Sequence, residues 1–395
     1  MILLKIVQNV ELEHPKMQNK TKVFIIAGEV SGDILGAHIM EQMPDVDFVG
    51  IGGEHMTAAG LKPLFPMGDL AVMGIVEVVA HARTLTRRIR ETVNAIIETK
   101  PDVVVSIDAP GFAKSVIKQV RKLPAGRELI KNGMKFHHVV APQVWAWRPG
   151  RAKKYAQTFD KLYAFFDFEV PYFTRHGLDT VAVGHPIADG LVSKIHKTKK
   201  HADSKIITLV PGSRMSEVKK LLPLMQEIAD RLYRDGYMGY QFIIPVVETT
   251  AEYIKQQIKK WQVQPTLVPA DKRYDIYKQT YIAIVASGTV SAEMAMLHVP
   301  AIVVYRMNAI TTWIGRLLIN IKWVSLVNIL LKRMVYPEFL GPDATAENVI
   351  NAVQQLTIPA KREKMIADLE SADKMWRHDE GGACKLIADG IRGAI

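Results

Sequence analysis

Short runs of β-branched and apolar residues recur along this chain. Each ends in a turn and most lead into a helical stretch, and this rhythm fixes the fold class. The first run, Lys22 to Ala27, enters the turn AGEVSGD and then a helix expected over Ile34 to Gln42. Others lie at Phe48–Gly50, Val103–Ile107, Phe136–Val140, Leu162–Phe165 and Val181–Val183. Strands alternating with helices predict a parallel sheet covered on both faces. The polar, lysine-rich stretch Lys194 to Lys205 interrupts the series and reads as a linker. A second series starts at Ile206–Val210 and continues at Phe242–Pro245, Thr266–Val268, Ile282–Val285 and Ala301–Tyr305. At 395 residues the chain is too long for one core. The expectation is α/β, with two units facing a cleft and ligands at the carboxyl ends of the strands. Expected boundaries are a loose tail over 1–20 (Met17 being a second candidate start), domains over 21–190 and 206–360, a linker over 191–205 and C-terminal helices over 361–395.

Composition narrows the partners only partly. Lys and Arg number 51 against 40 Asp and Glu, a balance of +11 that favours anions without choosing among nucleic acid, phosphorylated substrates and anionic membrane. The single cysteine, Cys384, excludes an intrachain disulfide and cysteine-cluster zinc sites, and agrees with a reducing cytoplasm. No uncharged apolar run reaches the length of a membrane span, and no signal peptide is expected.

Several turns carry residues with chemistry. Gly28 and Gly32 follow the first strand, where a ligand can approach backbone and helix N–H groups. The spacing is not G-x-G-x-x-G, so a dinucleotide is a weak reading. Ser31 or Asp33 reads as an ordinary helix cap, whereas Glu29 falls on the cleft side. Asp108 ends the strand VVVSID, where partial desolvation would raise its pKa into a general-base range; a turn or cap aspartate fits the spacing equally well. In His137 to Arg151, Trp145 reads as packing and Trp147 stays open between packing and stacking on a ligand.

Leu209 to Val218 is the sharper signal. Gly212, Ser213 and Arg214 sit between a strand and a helix, where an anion meets both helix N–H groups and a guanidinium. The turn Ser287, Gly288, Thr289 repeats the arrangement, with Glu293 placed to accept ribose hydroxyls or merely to support the helix. Two such mouths place a nucleotide in the second half. The D-x-D at Asp45 and Asp47 precedes its strand and reads as surface. No H-E-x-x-H or G-x-S-x-G occurs, and His137, His138 and His185 read as packed side chains.

Taken in order, AGEVSGDILGA, LAVMGIVEV, PDVVVSIDAP, VWAWRPGR, GHPIAD, LVPGSR, ASGTVSAE and VSLVNILLKRMVYPEFLG resemble the lipid-A-disaccharide synthases, from about Lys22 to Gly341. The resemblance implies two Rossmann-like domains of the GT-B glycosyltransferase type. It implies a UDP-diacylglucosamine donor, a diacylglucosamine 1-phosphate acceptor and an inverting displacement giving lipid A disaccharide 1-phosphate and UDP. Asp108 would be the catalytic carboxylate with Glu29 in the active site, and Arg214 and Asn328 would serve the donor or the reaction centre. It also suggests a homodimer. The expectation is a cytoplasmic enzyme peripheral on the inner membrane, with no cofactor, metal or nucleic acid. Rivals are a UDP-sugar epimerase on the same fold and a binding protein without turnover. The chain departs from the family pattern at Gly111 and Ala113 (family Asp and Asn), Val327 (family Pro) and Gly341 (family Gln).

Two basic-apolar segments point to a membrane surface. Val72, Met73, Val76 and Val79 precede Arg83, Arg87, Arg88 and Arg90. Between Glu293 and Glu338 no acidic residue occurs, while Arg306, Arg316, Lys322, Lys332 and Arg333 punctuate apolar stretches holding Trp313 and Trp323. Apolar groups beside cations suit anionic lipid. Core helices with basic groups reaching outward are the alternative, and for the second segment the two readings are even.

Overall fold

The computed structural model describes residues 21–70, 82–189, 204–306, 322–377 and 381–395. The expected tail over 1–20 lies outside these residues, as do the apolar series 71–81, most of the linker and the stretch 307–321 with Trp313 and Arg316. The chain forms two compact units. One comprises residues up to Val139, Thr158–Asp160 and Ala388–Ile395; the other comprises Val140–Gln157 and Lys161–Ile387.

Among the described residues, thirteen strands make two sheets. They are β1 Lys22–Ala27, β2 Asp47–Ile51, β3 Lys62–Pro63, β4 Val103–Ile107, β5 Lys135–Val139, β6 Lys161–Ala164, β7 Asp179–Ala182, β8 Ile206–Val210, β9 Gln241–Val246, β10 Thr266–Pro269, β11 Ile282–Ala286, β12 Ala301–Tyr305 and β13 Glu338–Leu340. The sheet orders are β3-β2-β1-β4-β5-β6-β7 and β10-β9-β8-β11-β12-β13. Registered pairs such as β1 with β4 and β8 with β11 are parallel. The central strands β4 and β11 are buried at every residue, which is why they read as apolar runs, interrupted in β4 only by Ser106. Helix Met215–Arg234 buries Val218, Leu221, Leu222, Met225, Ile228, Ala229 and Leu232, an i, i+3, i+4 stripe against the second core.

Each sheet reverses its strand order once, between β1 and β4 and between β8 and β11. Such points open a crevice at the carboxyl ends of the strands.

Ser31 and Asp33 do not cap the first helix, which runs Val30–Glu41 with Glu29 as a backbone-only N-cap. Asp33 is buried inside it, and its carboxylate accepts from the N–H groups of Gly53, His55 and Met56 at 2.7, 3.0 and 3.0 Å. It caps the next helix, Glu54–Ala58, across 20 residues of chain. Asp45 lies on the surface, ion-paired with Arg392 of the C-terminal helix at 2.5 Å.

Candidate active site

In the first unit, Glu29 and Asp108 leave the carboxyl ends of the two strands that flank the switch point. Their turns are pressed together: a Cβ built on Gly28 would stand 3.1 Å from the Ala109 Cβ, so glycine permits the approach. Asp108 takes the left-handed φ of 43° and donates its N–H to the Val139 carbonyl at 3.3 Å. Its tip is open, yet the surrounding protein raises its pKa from 3.8 to about 6, with burial the larger cause and the neighbouring charge of Glu29 the second.

Beneath this point His138 is fully buried. Its Nδ1 lies 2.7 Å from the Ser106 hydroxyl and its ring stacks on Phe159 at 4.7 Å. Burial lowers its pKa to about 3, so it stays neutral and packs as expected. Of the departures from the family pattern, Ala113 is buried in helix Pro110–Lys122, while Gly111 faces open space.

In the second unit the mouths follow β8 and β11. Gly212 has φ 106°, and a Cβ there would come within 2.5 Å of the Glu217 carboxylate. Arg214 is the N-cap of helix Met215–Arg234; it is exposed and pairs with Glu217 at 3.2 Å. Ser213 is exposed beside it. After β11, Ser287 is half-buried, Gly288 and Thr289 are exposed, and Gly288 begins helix Thr289–Met296 with open space where a Cβ would stand. Neither helix has a side-chain cap, so the leading N–H groups of both lack side-chain acceptors.

Glu293 is buried and already engaged. It accepts from the Tyr274 hydroxyl at 2.8 Å and from Arg273 at 3.2 Å. Arg273 and Tyr274 were invisible to motif reading because they sit on a short helix, Arg273–Tyr277, distant in sequence. Asn328 is likewise enclosed. At 0% exposure it donates to the Tyr336 carbonyl and Glu338, and accepts from the N–H groups of Val335 and Tyr336. All four of these hydrogen bonds are internal, so Asn328 braces the turn that leads to Glu338. Glu338 completes the brace by accepting from Val324 N, Ser325 N and Ser325 Oγ at 2.8, 2.9 and 2.7 Å. Val327 packs into the core beside it, and Gly341 opens a short turn at φ 59°.

Trp145 packs edge-on against Phe168 and donates to Glu169 at 3.3 Å, whereas Trp147 is 37% exposed with Arg148 4.2 Å above its ring. Glu169, not singled out in the sequence, is buried and pushed up to about 7, desolvation outweighing its hydrogen bonds.

The proposed lipid-contact residues divide. Val72, Met73, Val76 and Val79 lie outside the described residues. Arg87 is exposed on helix Ala82–Thr99. Arg88 is not available to lipid: it pairs with Asp69 at 2.5 Å and Glu91 at 2.6 Å and lies over Phe65 at 4.5 Å. Arg306 and Arg333 are also occupied, by the Ala344 carbonyl and by Asp368. Among the described residues, no helix is long and apolar enough to cross a membrane, and no group of three or more His, Cys, Asp or Glu could hold a metal.

Two sheets of parallel strands, each with one switch point, define an α/β fold of the GT-B type. Solved structures with this fold include UDP-GlcNAc 2-epimerase from Neisseria meningitidis bound to UDP-GlcNAc (TM-score 0.59, 14% identity, 94% of this chain and 100% of that one). Another is MurG of Acinetobacter baumannii (TM-score 0.59, 13% identity, 94% and 99%). At such identities the likeness shows the fold alone. Sequence goes further. A family model described as lipid-A-disaccharide synthetase matches residues 23–386, and the lipid-A-disaccharide synthase of Rhodospirillum centenum is 39% identical over 361 residues, 87% of each chain. The chain belongs to the lipid-A-disaccharide synthase family, glycosyltransferases of lipid A biosynthesis.

Proposed function

We propose that this enzyme condenses UDP-2,3-diacylglucosamine with 2,3-diacylglucosamine 1-phosphate by a single inverting displacement. The observation that carries this reading is Asp108, whose raised pKa and placement at the switch point beside Glu29 suit a general base. Asp108 takes the proton of the acceptor's sugar hydroxyl. The oxygen attacks the anomeric carbon from the face opposite UDP, and the bond to the pyrophosphate breaks. Arg214, with the open helix mouths at Gly212–Ser213 and Ser287–Gly288–Thr289, stabilises the departing charge. Glu293 and Asn328 act as positioning groups, holding Arg273 with Tyr274 and the turn 335–338. No metal is required, since the cations and helix N–H groups neutralise the leaving group.

The enzyme works as a homodimer on the cytoplasmic face of the inner membrane, without crossing it. Its exposed arginines, Arg87 among them, meet anionic lipid. Measuring UDP release with and without an acylated acceptor tests the reaction. Release only with acceptor supports it. Conversion of the UDP-sugar without acceptor points to an epimerase, binding without turnover points to a carrier, and either overturns the reading.

A further inference from the structure

The arginines of helix Ala82–Thr99 fall into two groups that sequence proximity hides. Arg88 is neutralised by Asp69 and Glu91. Arg83, Arg87 and Arg90 recur at i, i+4 and i+7, which places them on one face of the helix. With Thr86 they line a cavity of about 410 Å³. All four are exposed. Arg87 has only a loose contact with Glu91 at 3.8 Å, and that carboxylate is shared with Arg88. Among the described residues, no carboxylate pairs with Arg83 or Arg90.

This face works against the helix that carries it. Like charges one turn apart repel. The first turn holds no acidic residue, although the positive end of the helix dipole favours anions there and disfavours Arg83. Local choices that oppose the fold mark functional positions, and a bound anion would offset both penalties.

The topology gives the cavity its place. Thr99 is followed within a few residues by Val103, the first residue of β4, so the helix runs antiparallel to that strand and its first turns lie toward the strand's carboxyl end. The helix packs against Pro110–Lys122, which begins two residues after Asp108. The arginine face therefore belongs to the same end of the sheet as Glu29 and Asp108.

We infer that Arg83, Arg87 and Arg90, with Thr86, form a phosphate-binding site, and that its ligand is a phosphate carried by a lipid. Three guanidiniums and a hydroxyl match the several acceptor oxygens and multiple charge of a phosphomonoester. Resting on the proposed reaction, the fitting source is the phosphate of the glycolipid acceptor; an anionic phospholipid headgroup shares the chemistry.

The test compares the wild type with R83Q/R87Q/R90Q and with the charge-preserving R83K/R87K/R90K. In neutral detergent micelles the glutamine variant should raise KM for the phosphorylated acceptor roughly ten- to hundredfold. The donor KM, kcat and the KM of a dephosphorylated acceptor should stay near wild type, and the lysine variant should lie between. If KM is unchanged in micelles but the glutamine variant alone fails to float with phosphatidylglycerol vesicles, the phosphate read is the bilayer's, and the site stands. Broadening of the phosphorus NMR signal of soluble glucosamine 1-phosphate by wild type, and not by the glutamine variant, reads the site without turnover. It therefore remains decisive if UDP release itself fails. Wild-type behaviour of the glutamine variant in all three measurements overturns the assignment. So does an equal loss of kcat on phosphorylated and dephosphorylated acceptors with a lowered melting temperature.

Discussion

Asp108→Asn should move activity and stability in opposite directions. Asn keeps the shape of the side chain and removes its basicity, so turnover should fall at least about 10²-fold while donor binding survives. The stability effect follows from the raised pKa. Because Asp108 titrates near 6 when folded and near 3.8 when unfolded, the folded state holds the proton more tightly. Its contribution is favourable below about 4, is lost as pH rises through 6, and leaves the protein less stable at neutral pH than a neutral side chain would. For a fully enclosed group the loss would be roughly 3 kcal/mol. The exposed tip of Asp108 admits solvent screening, which brings the figure to roughly 1 kcal/mol. The Asn variant should therefore melt about 2–4 °C higher at pH 7.5, with the gain vanishing near pH 4. Calorimetry at both pH values and a UDP-release assay make the check. Near-normal turnover refutes the base assignment; a melting gain identical at both pH values refutes the electrostatic origin.

In the wild type, kcat/KM should decline as pH falls through about 6, because a base works only when unprotonated. In Glu29→Gln that midpoint should drop below the wild-type value, since Glu29 is the second cause of the shift; an unmoved midpoint would show that the two carboxylates are uncoupled. Arg214→Ala should lower kcat roughly 10²–10³-fold, and steady-state kinetics with a wild-type value would remove Arg214 from the leaving-group site. Activity should persist in excess chelator, and loss with rescue by magnesium or manganese would contradict the metal-free reaction. Asn328→Ala should cost roughly 2–4 kcal/mol of unfolding free energy, because the N–H groups of Val335 and Tyr336 lose their acceptor inside the core; denaturant melts would expose a smaller effect.

Where burial on both faces leaves an apolar run, the sequence marks the strand well. β1, β4, β8 and β12 begin and end where the sequence places their runs. β3 and β13 escaped because they span two and three residues and carry no run of their own. Glu29, Asp108 and the two helix mouths were legible because position after a strand is itself a signal. The roles of Asp33, Glu293 and Asn328 were not, since each depends on a partner brought near only by folding. Arg87 and Arg88 show the limit most plainly. They are adjacent in sequence, yet successive residues on a helix point about 100° apart, so one reaches Asp69 and Glu91 while the other faces outward.

The same distinction explains why a net charge of +11 predicts so little by itself. Part of the basic surplus is structural. Arg88 joins its helix to the segment at Asp69, Arg333 holds Asp368, and Arg392 anchors the C-terminal helix at Asp45. Where such pairs face solvent they contribute little each, and pairing cancels much of their charge locally. Other arginines keep their charge toward solvent, among them Arg214 at a helix mouth beside Glu217, and Arg83, Arg87 and Arg90 along one face of a cavity. Both groups lie toward carboxyl ends of parallel strands, where helix N–H groups add to the positive potential. On the proposed function, recognition of a phosphate-bearing substrate would rest on which arginines stay exposed rather than on how many the chain carries. Adding an acidic residue to one of these two faces should therefore weaken anionic ligands more than removing any of the paired arginines.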